Sequence, residues 1–128
     1  MHNRIDITTC VMKSNELHLK ADPIETKIEQ LEDTKQMLVD SDNMSFVYVV
    51  DINDQFMYVG LSDNIWANLK HVLHKDMKVF LEINKEVIEL SAVKEELSYL
   101  ISNIEGNVNY GDEMVARVEE VFLDKENK

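Results

Sequence analysis

The chain has 128 residues, 45% of them hydrophobic, and carries 13 Lys and Arg against 25 Asp and Glu, a formal net charge of −12. That length suits a single domain. The charge argues against nucleic-acid or membrane-surface binding, both of which need Lys and Arg to displace counterions, and favours a partner with a basic surface.

Cys10 is the only cysteine, so an intramolecular disulfide is excluded. It sits in residues 4–12, where Ile5, Ile7, Thr9 and Val11 alternate with Asp6, Thr8, Cys10 and Met12 at the period of a half-buried strand. With no basic neighbour to activate it, Cys10 reads as a small buried hydrophobe. Residues 16–21 return with Leu17 and Leu19 inward and Glu16, His18 and Lys20 outward, His18 as a solvated strand residue. No apolar signal core opens the chain, and no run approaches the roughly 18 apolar residues of a membrane helix. A cytoplasmic protein is expected.

Asp22-Pro23-Ile24-Glu25 reads as a helix start, with Asp22 as cap, Pro23 at the first helical position and Glu25 reaching back. Ile24, Ile28, Leu31 and Leu38 continue at helical spacing, interrupted by Lys35. Residues 37–39 are either the end of that helix or a short extended piece, and 40–43 form a loop. Next, 45–50 and 56–61 read as a hairpin around 51–55, apolar on both faces, which calls for cover on both faces. Either helices supply it or a second copy does, and a homodimer is the expectation. Ser62 then caps a helix whose buried stripe is Ile65, Trp66, Leu69, Val72 and Leu73.

Residues 78–84 and 86–90 form another hairpin, and Ser91 caps a helix buried through Val93, Leu97, Leu100, Ile101 and Ile104. Gly106 is a left-handed stop. A last helix over 112–123 turns Met114, Val115, Val118, Val121 and Phe122 inward. The reading is one α+β domain over residues 1–128 with a frayed tail at 124–128. Its sheet is mostly antiparallel, of about six strands in three β-β-α units, with packed helices and a C-terminal helical pair.

Few residues point to chemistry. His71 and His74 have the spacing for a shared metal but lie opposite the buried stripe, with no further ligand nearby. Asp51, Asn53 and Asp54 lack the glycine and glutamate of a calcium loop and read as a turn. No nucleophile elbow, phosphate-cradling glycine loop or zinc-protease motif is present in the sequence. The loop 106–111 either presents Tyr110 for recognition or tucks it onto the core; the structural reading is favoured.

Residues 36–43 running into the aromatic strand 46–50 resemble the YjbL-like family of small acidic proteins from Bacilli. So do Trp66, Glu96-Leu97-Ser98-Tyr99-Leu100, and the pattern Ile104, Gly106 and Asn109-Tyr110-Gly111. The resemblance covers about residues 36–122. It implies a Gram-positive cytoplasmic protein and no activity. The family pattern carries Gly where Lys35 stands, and Phe-His where this chain has Val93-Lys94, so no histidine role carries over there.

Together these features predict a non-enzymatic acidic interaction or regulatory protein of the bacterial cytoplasm. Its candidate contact residues are Asp40, Asp42 and Asn43 in one loop and Asn107, Asn109, Tyr110 and Gly111 in another. The expected partner is a protein with a basic surface; no catalytic residue, metal or cofactor is expected. The alternative is a small-molecule-binding or enzymatic domain, with a pocket built from the same two loops plus Trp66 and Tyr110.

Overall fold

Two-residue turns build much of the sheet in the computed structural model, which describes residues 3–124. Strands β4 (Ser45–Ile52) and β5 (Gln55–Ser62) are joined through Asn53 and Asp54, both at positive φ. Strands β6 (Lys78–Ile83) and β7 (Glu86–Glu89) are joined the same way through Asn84 and Lys85. Positive φ at both central positions is the turn whose twist matches the flanking strands, and Asn tolerates it well. A third hairpin pairs β1 (Arg4–Lys13) with β2 (Glu16–Ala21).

The sheet has seven strands in the order β3-β4-β5-β1-β2-β6-β7, with β3 spanning Leu31–Asp40. It is mixed: β1 runs parallel to β5, and β2 parallel to β6. The expected six mostly antiparallel strands therefore become seven with two parallel junctions. Hairpins fix antiparallel pairs locally, but which hairpins become neighbours is settled by long-range packing. Strand β1 serves both halves of the sheet. Its residues 4–6 pair with β5, and beyond an irregularity between Ile7 and Thr9 it pairs with β2 through Lys13. Beyond that irregularity the alternation expected for β1 is not kept: Cys10 lies opposite the core residue Leu19 and packs against the core, while Val11 and Met12 are both exposed. Cys10 is half-buried where full burial was expected, and that burial pushes its thiol pKa up.

The expected helix from residue 22 does not form, and the first hairpin has no helix of its own. Residues 22–30 run without regular structure, and the apolar residues beyond them enter β3. The reason lies in the two asparagine turns. Asn53 Oδ1 accepts from the backbone N–H of Glu29 (2.9 Å) and Gln30 (3.0 Å), while its Nδ2 donates to the Lys27 carbonyl (2.8 Å). Asn84 Oδ1 accepts from the Ile24 N–H (3.0 Å) and its Nδ2 donates to the carbonyls of Ile24 (2.8 Å) and Thr26 (3.3 Å). Backbone groups that a helix would have paired are satisfied from two hairpin tips instead.

The helices follow the sequence closely. A 3₁₀ turn at Asp63–Ile65 leads into α1 (Trp66–Lys75); α2 covers Val93–Ile104 and α3 Asp112–Phe122. Their buried faces include Trp66, Leu69, Val72, Leu97, Ile101, Met114 and Val118, all of which join one core with Phe46, Tyr48, Leu61, Leu81 and Ile83. Gly106 stops α2 at φ +66°. Neither serine caps a helix. Ser62 makes no capping bond, and α2 starts one residue after Ala92 because Ser91 is bound elsewhere.

Ser91 belongs to a latch that ties the two edges of the curled sheet. Its N–H and O–H both donate to Asp33 Oδ2, at 2.9 and 2.7 Å, while Tyr48 donates to Asp33 Oδ1 at 2.6 Å. The Ala92 N–H donates to the Tyr48 hydroxyl at 3.1 Å, and the Lys35 N–H to Asp33 Oδ1 at 2.9 Å. Strand β3 bulges at this point, with Lys35 at φ +61° and the Thr34 hydroxyl donating to the Val49 carbonyl at 2.6 Å. Burial pushes the Asp33 carboxyl up, but the bonds from Tyr48, Ser91 and Lys35 outweigh it and hold the group below the usual carboxylate value. Tyr48 moves the other way, raised by burial and by its bond to Asp33. Of the tail expected to fray at 124–128, Asp124 pairs with Lys70, and 125–128 lie outside the described residues. No described helix is long and apolar enough to cross a membrane.

Candidate functional site

Side chains that pair across antiparallel strands share a face, so the register divides β3, β4 and β5 cleanly. Met37, Tyr48 and Val59 point into the core. Gln36, Val49 and Tyr58 point away from it, as do Leu38, Val47 and Gly60, and then Asp51 and Phe56. Strand β1 adds Arg4 beside Tyr58 and Asp6 beside Gly60 on the same outer side. Val47 and Val49 are only 3% and 2% exposed although they lie outside the core cluster, while Leu38 and Phe56 are 50% and 53% exposed. The outer face of this half of the sheet is thus apolar at its centre. An open groove of about 510 Å³ runs over it, lined by Leu38, Val47, Tyr58, Asp40 and Asn43.

Acids border this apolar centre. Asp6 and Asp40 stand at one end, Asp51 at the other, with Glu32 opposite Asp51 on β3. Asp51 Oδ1 is shielded from solvent and accepts no hydrogen bond among the described residues, an uncommon state for a carboxylate oxygen. Arg4 is the base of the face. From β1 its guanidinium crosses over Gly60 on β5. It reaches Asp40 Oδ2 at 3.1 Å, the Ser45 hydroxyl at 3.4 Å and, beside it on β1, Asp6 Oδ1 at 3.4 Å. A Cβ at position 60 would lie 2.4 Å from Arg4 Nη2, so only glycine admits the guanidinium there. Ser45 is fully buried and donates to the Asn43 carbonyl at 3.0 Å. The Asn43 amide (2.8 Å) and then Arg4 hold the Asp40 carboxyl below its usual pKa. A second open groove of about 530 Å³ lies against Arg4, lined also by Asp6, Ile7, Asn43, Ser45, Gly60 and Ser62.

The structure places the two predicted contact loops at opposite ends of α3. Phe122, at its end, packs on Phe46 with ring centroids 6.1 Å apart, next to the 3₁₀ turn Ser41–Asn43. The loop 107–111 precedes its first residue, about 16 Å away at 1.5 Å rise per residue. Asp40 and Asn43 line the grooves described above, and Asp42 is an exposed neighbour. In the other loop Tyr110 packs half-buried against the core, Asn107 accepts from the Asn109 N–H at 3.1 Å, Gly111 turns at φ +91°, and Val108, Asn109 and Gly111 are exposed. Trp66 is fully buried between Phe46 and Phe122 and donates to the Leu61 carbonyl at 3.0 Å, so it contributes to no surface pocket.

Arg4 and Gly60 escape a reading by sequence because their partners lie far along the chain. The one available signal was a glycine inside an otherwise continuous apolar strand. His18 is likewise more engaged than expected. Its Nδ1 lies 2.8 Å from Glu82 Oε2 and its Nε2 2.9 Å from Glu16 Oε1, with the ring stacked on Phe80 at 5.1 Å. Among the described residues, no three His, Cys, Asp or Glu form a group that could hold a metal ion.

An α+β protein with a curled mixed sheet, an acidic-rimmed apolar outer face and a seated arginine is the class these features define. The profile described as a family of unknown function, UPF0738, matches residues 5–122, and the chain belongs to that family. A UPF0738 protein of Bacillus cytotoxicus is 40% identical over 123 residues, covering 96% of this chain and all of its own length. UPF0738 proteins of Bacillus mycoides and Bacillus cereus are 39% and 37% identical over the same coverage. The Bacilli setting and the unknown function implied by the resemblance therefore appear under the name UPF0738. No solved structure matches the chain.

Proposed function

We propose that the protein is a non-enzymatic interaction module of the bacterial cytoplasm, and that it docks through the outer face of β3, β4 and β5. The observation that carries this reading is the apolar surface that face presents: Leu38 and Phe56 are about half exposed and Tyr58 is partly exposed, over Val47 and Val49, which are themselves buried. The occupant is a partner protein with an apolar patch bordered by Lys or Arg. Asp6, Glu32, Asp40 and Asp51 rim the face with negative charge, which a partner's basic side chains would complement. A second copy of a chain with net charge −12 would bring like charge onto that rim.

The test compares the wild type with Leu38→Ser and Phe56→Ser in capture from a Bacillus lysate at low and moderate salt. Both side chains are about half exposed, so the variants should hold their stability within about 0.5 kcal/mol. A partner retained by the wild type, lost with either variant and weakened by salt supports the reading. A partner that survives both substitutions rules this face out. A dimeric mass by light scattering that both variants abolish would assign the face to a second copy instead.

A further inference from the structure

We propose that the groove beside Arg4 binds a small zwitterion, an α-amino acid or a dipeptide, with its carboxylate on the Arg4 guanidinium and its ammonium against Asp6. The proposal goes beyond the docking reading and shares only the carboxylate of Asp6 with it. It starts from Gly60. Of the three glycines, Gly106 and Gly111 sit at positive φ, where the backbone itself favours glycine; Gly60 lies inside a central strand and has no such need. A glycine there weakens the strand, and the space it opens is filled by the Arg4 guanidinium.

Holding two strands together would not by itself require that arrangement. The contacts of Arg4 are long, 3.1 to 3.4 Å, and engage one N–H on each nitrogen. One N–H on each terminal nitrogen has no partner among the described residues, which leaves the cation with donors for a carboxylate. Asp40, Asp6 and the fully buried Ser45 fix the guanidinium from three strands, so the donors are oriented before any ligand arrives.

The charge balance selects the ligand. The groove is lined by one cation, Arg4, and one carboxylate, Asp6. A simple anion would meet Asp6, and a simple cation would meet Arg4. A molecule with a carboxylate and an ammonium a few bonds apart satisfies both signs. Ser62 and Asn43 add polar contacts and Ile7 an apolar one for a side chain. The groove volume of about 530 Å³ is of the size that accommodates small molecules.

Amide NMR titration of the whole protein with glycine, L-alanine, L-glutamate, L-lysine and glycylglycine tests this, with acetate and methylammonium as half-ligand controls. The expected result is saturable shifts at Gly60, Ser45 and Asn43 with at least one zwitterion and not with either half. Gly60→Ala and Arg4→Gln should each weaken that binding about tenfold, the loss expected for one charge-assisted hydrogen bond. Asp6→Asn, at an exposed side chain, keeps the test alive if those variants fail to fold: it should weaken the zwitterion and strengthen acetate. No zwitterion response, acetate binding as tight as the amino acids, or zwitterion affinity unchanged by Asp6→Asn would each overturn the proposal.

Discussion

Lys35 sits at φ +61°, a conformation that crowds the Cβ of any residue but glycine. Its backbone N–H donates to Asp33, so the position serves the bulge through its main chain. Lys35→Gly should therefore raise stability by about 0.5 kcal/mol, the strain relieved less the entropy glycine adds to the unfolded chain. Urea unfolding measures it, and a loss of stability would mean the Lys side chain contributes more than the strain costs. In the sequence Lys35 only interrupted an apolar stripe and blurred a helix boundary. Tyr48 and Asp33 make the opposite kind of prediction. Tyr48→Phe leaves the buried Ala92 N–H without its acceptor and Asp33 with one bond fewer, and should cost about 1–3 kcal/mol. Because the Asp33 pKa is depressed in the folded chain, its contribution is complete above the ordinary value of about 4 and is lost as pH falls through the lower folded value. Acid unfolding of Asp33→Asn should accordingly be less steep below about pH 4 than that of the wild type.

At the scale of elements, α1, α2 and α3 were legible because amphipathic spacing is a local signal that the core then uses unchanged. Residues 22–30 were not, although their capping signal was also local. A helix there would have competed with Asn53 and Asn84, and the Asn84 contacts span 60 residues of sequence. Two side chains at hairpin tips, each making three hydrogen bonds to the segment, outweighed one cap. Asn53→Gly and Asn84→Gly keep the positive φ of the turns and remove only the side chains. Each should cost about 2 kcal/mol in stability and open residues 22–30 to proteolysis ahead of the rest of the chain. A segment that stays resistant in both variants would show that Ile24 and Ile28, packed against the core, hold it unaided.

For the whole molecule, the α+β class and the hairpins could be read from alternation and turn residues. The mixed topology could not, since nothing in β1 or β2 marks β5 or β6 as a neighbour. Two apolar faces on β4 and β5 did point to an outer surface needing cover. The seated arginine at its end was invisible, because Asp40 and Ser45 lie 36 and 41 residues from Arg4. The two parallel junctions also govern how the chain assembles on the ribosome. The β1–β2 hairpin emerges first, yet its neighbours are residues 58–60 on one side and Lys78–Ile83 on the other. Until about half of the chain has been made this hairpin has two unpaired edges, and the β2 edge stays open until about two-thirds, with no closed core beneath it. Nascent chains halted before β6 should thus be the aggregation-prone species of this protein, with release of β6 as the step that seals the N-terminal hairpin into the sheet.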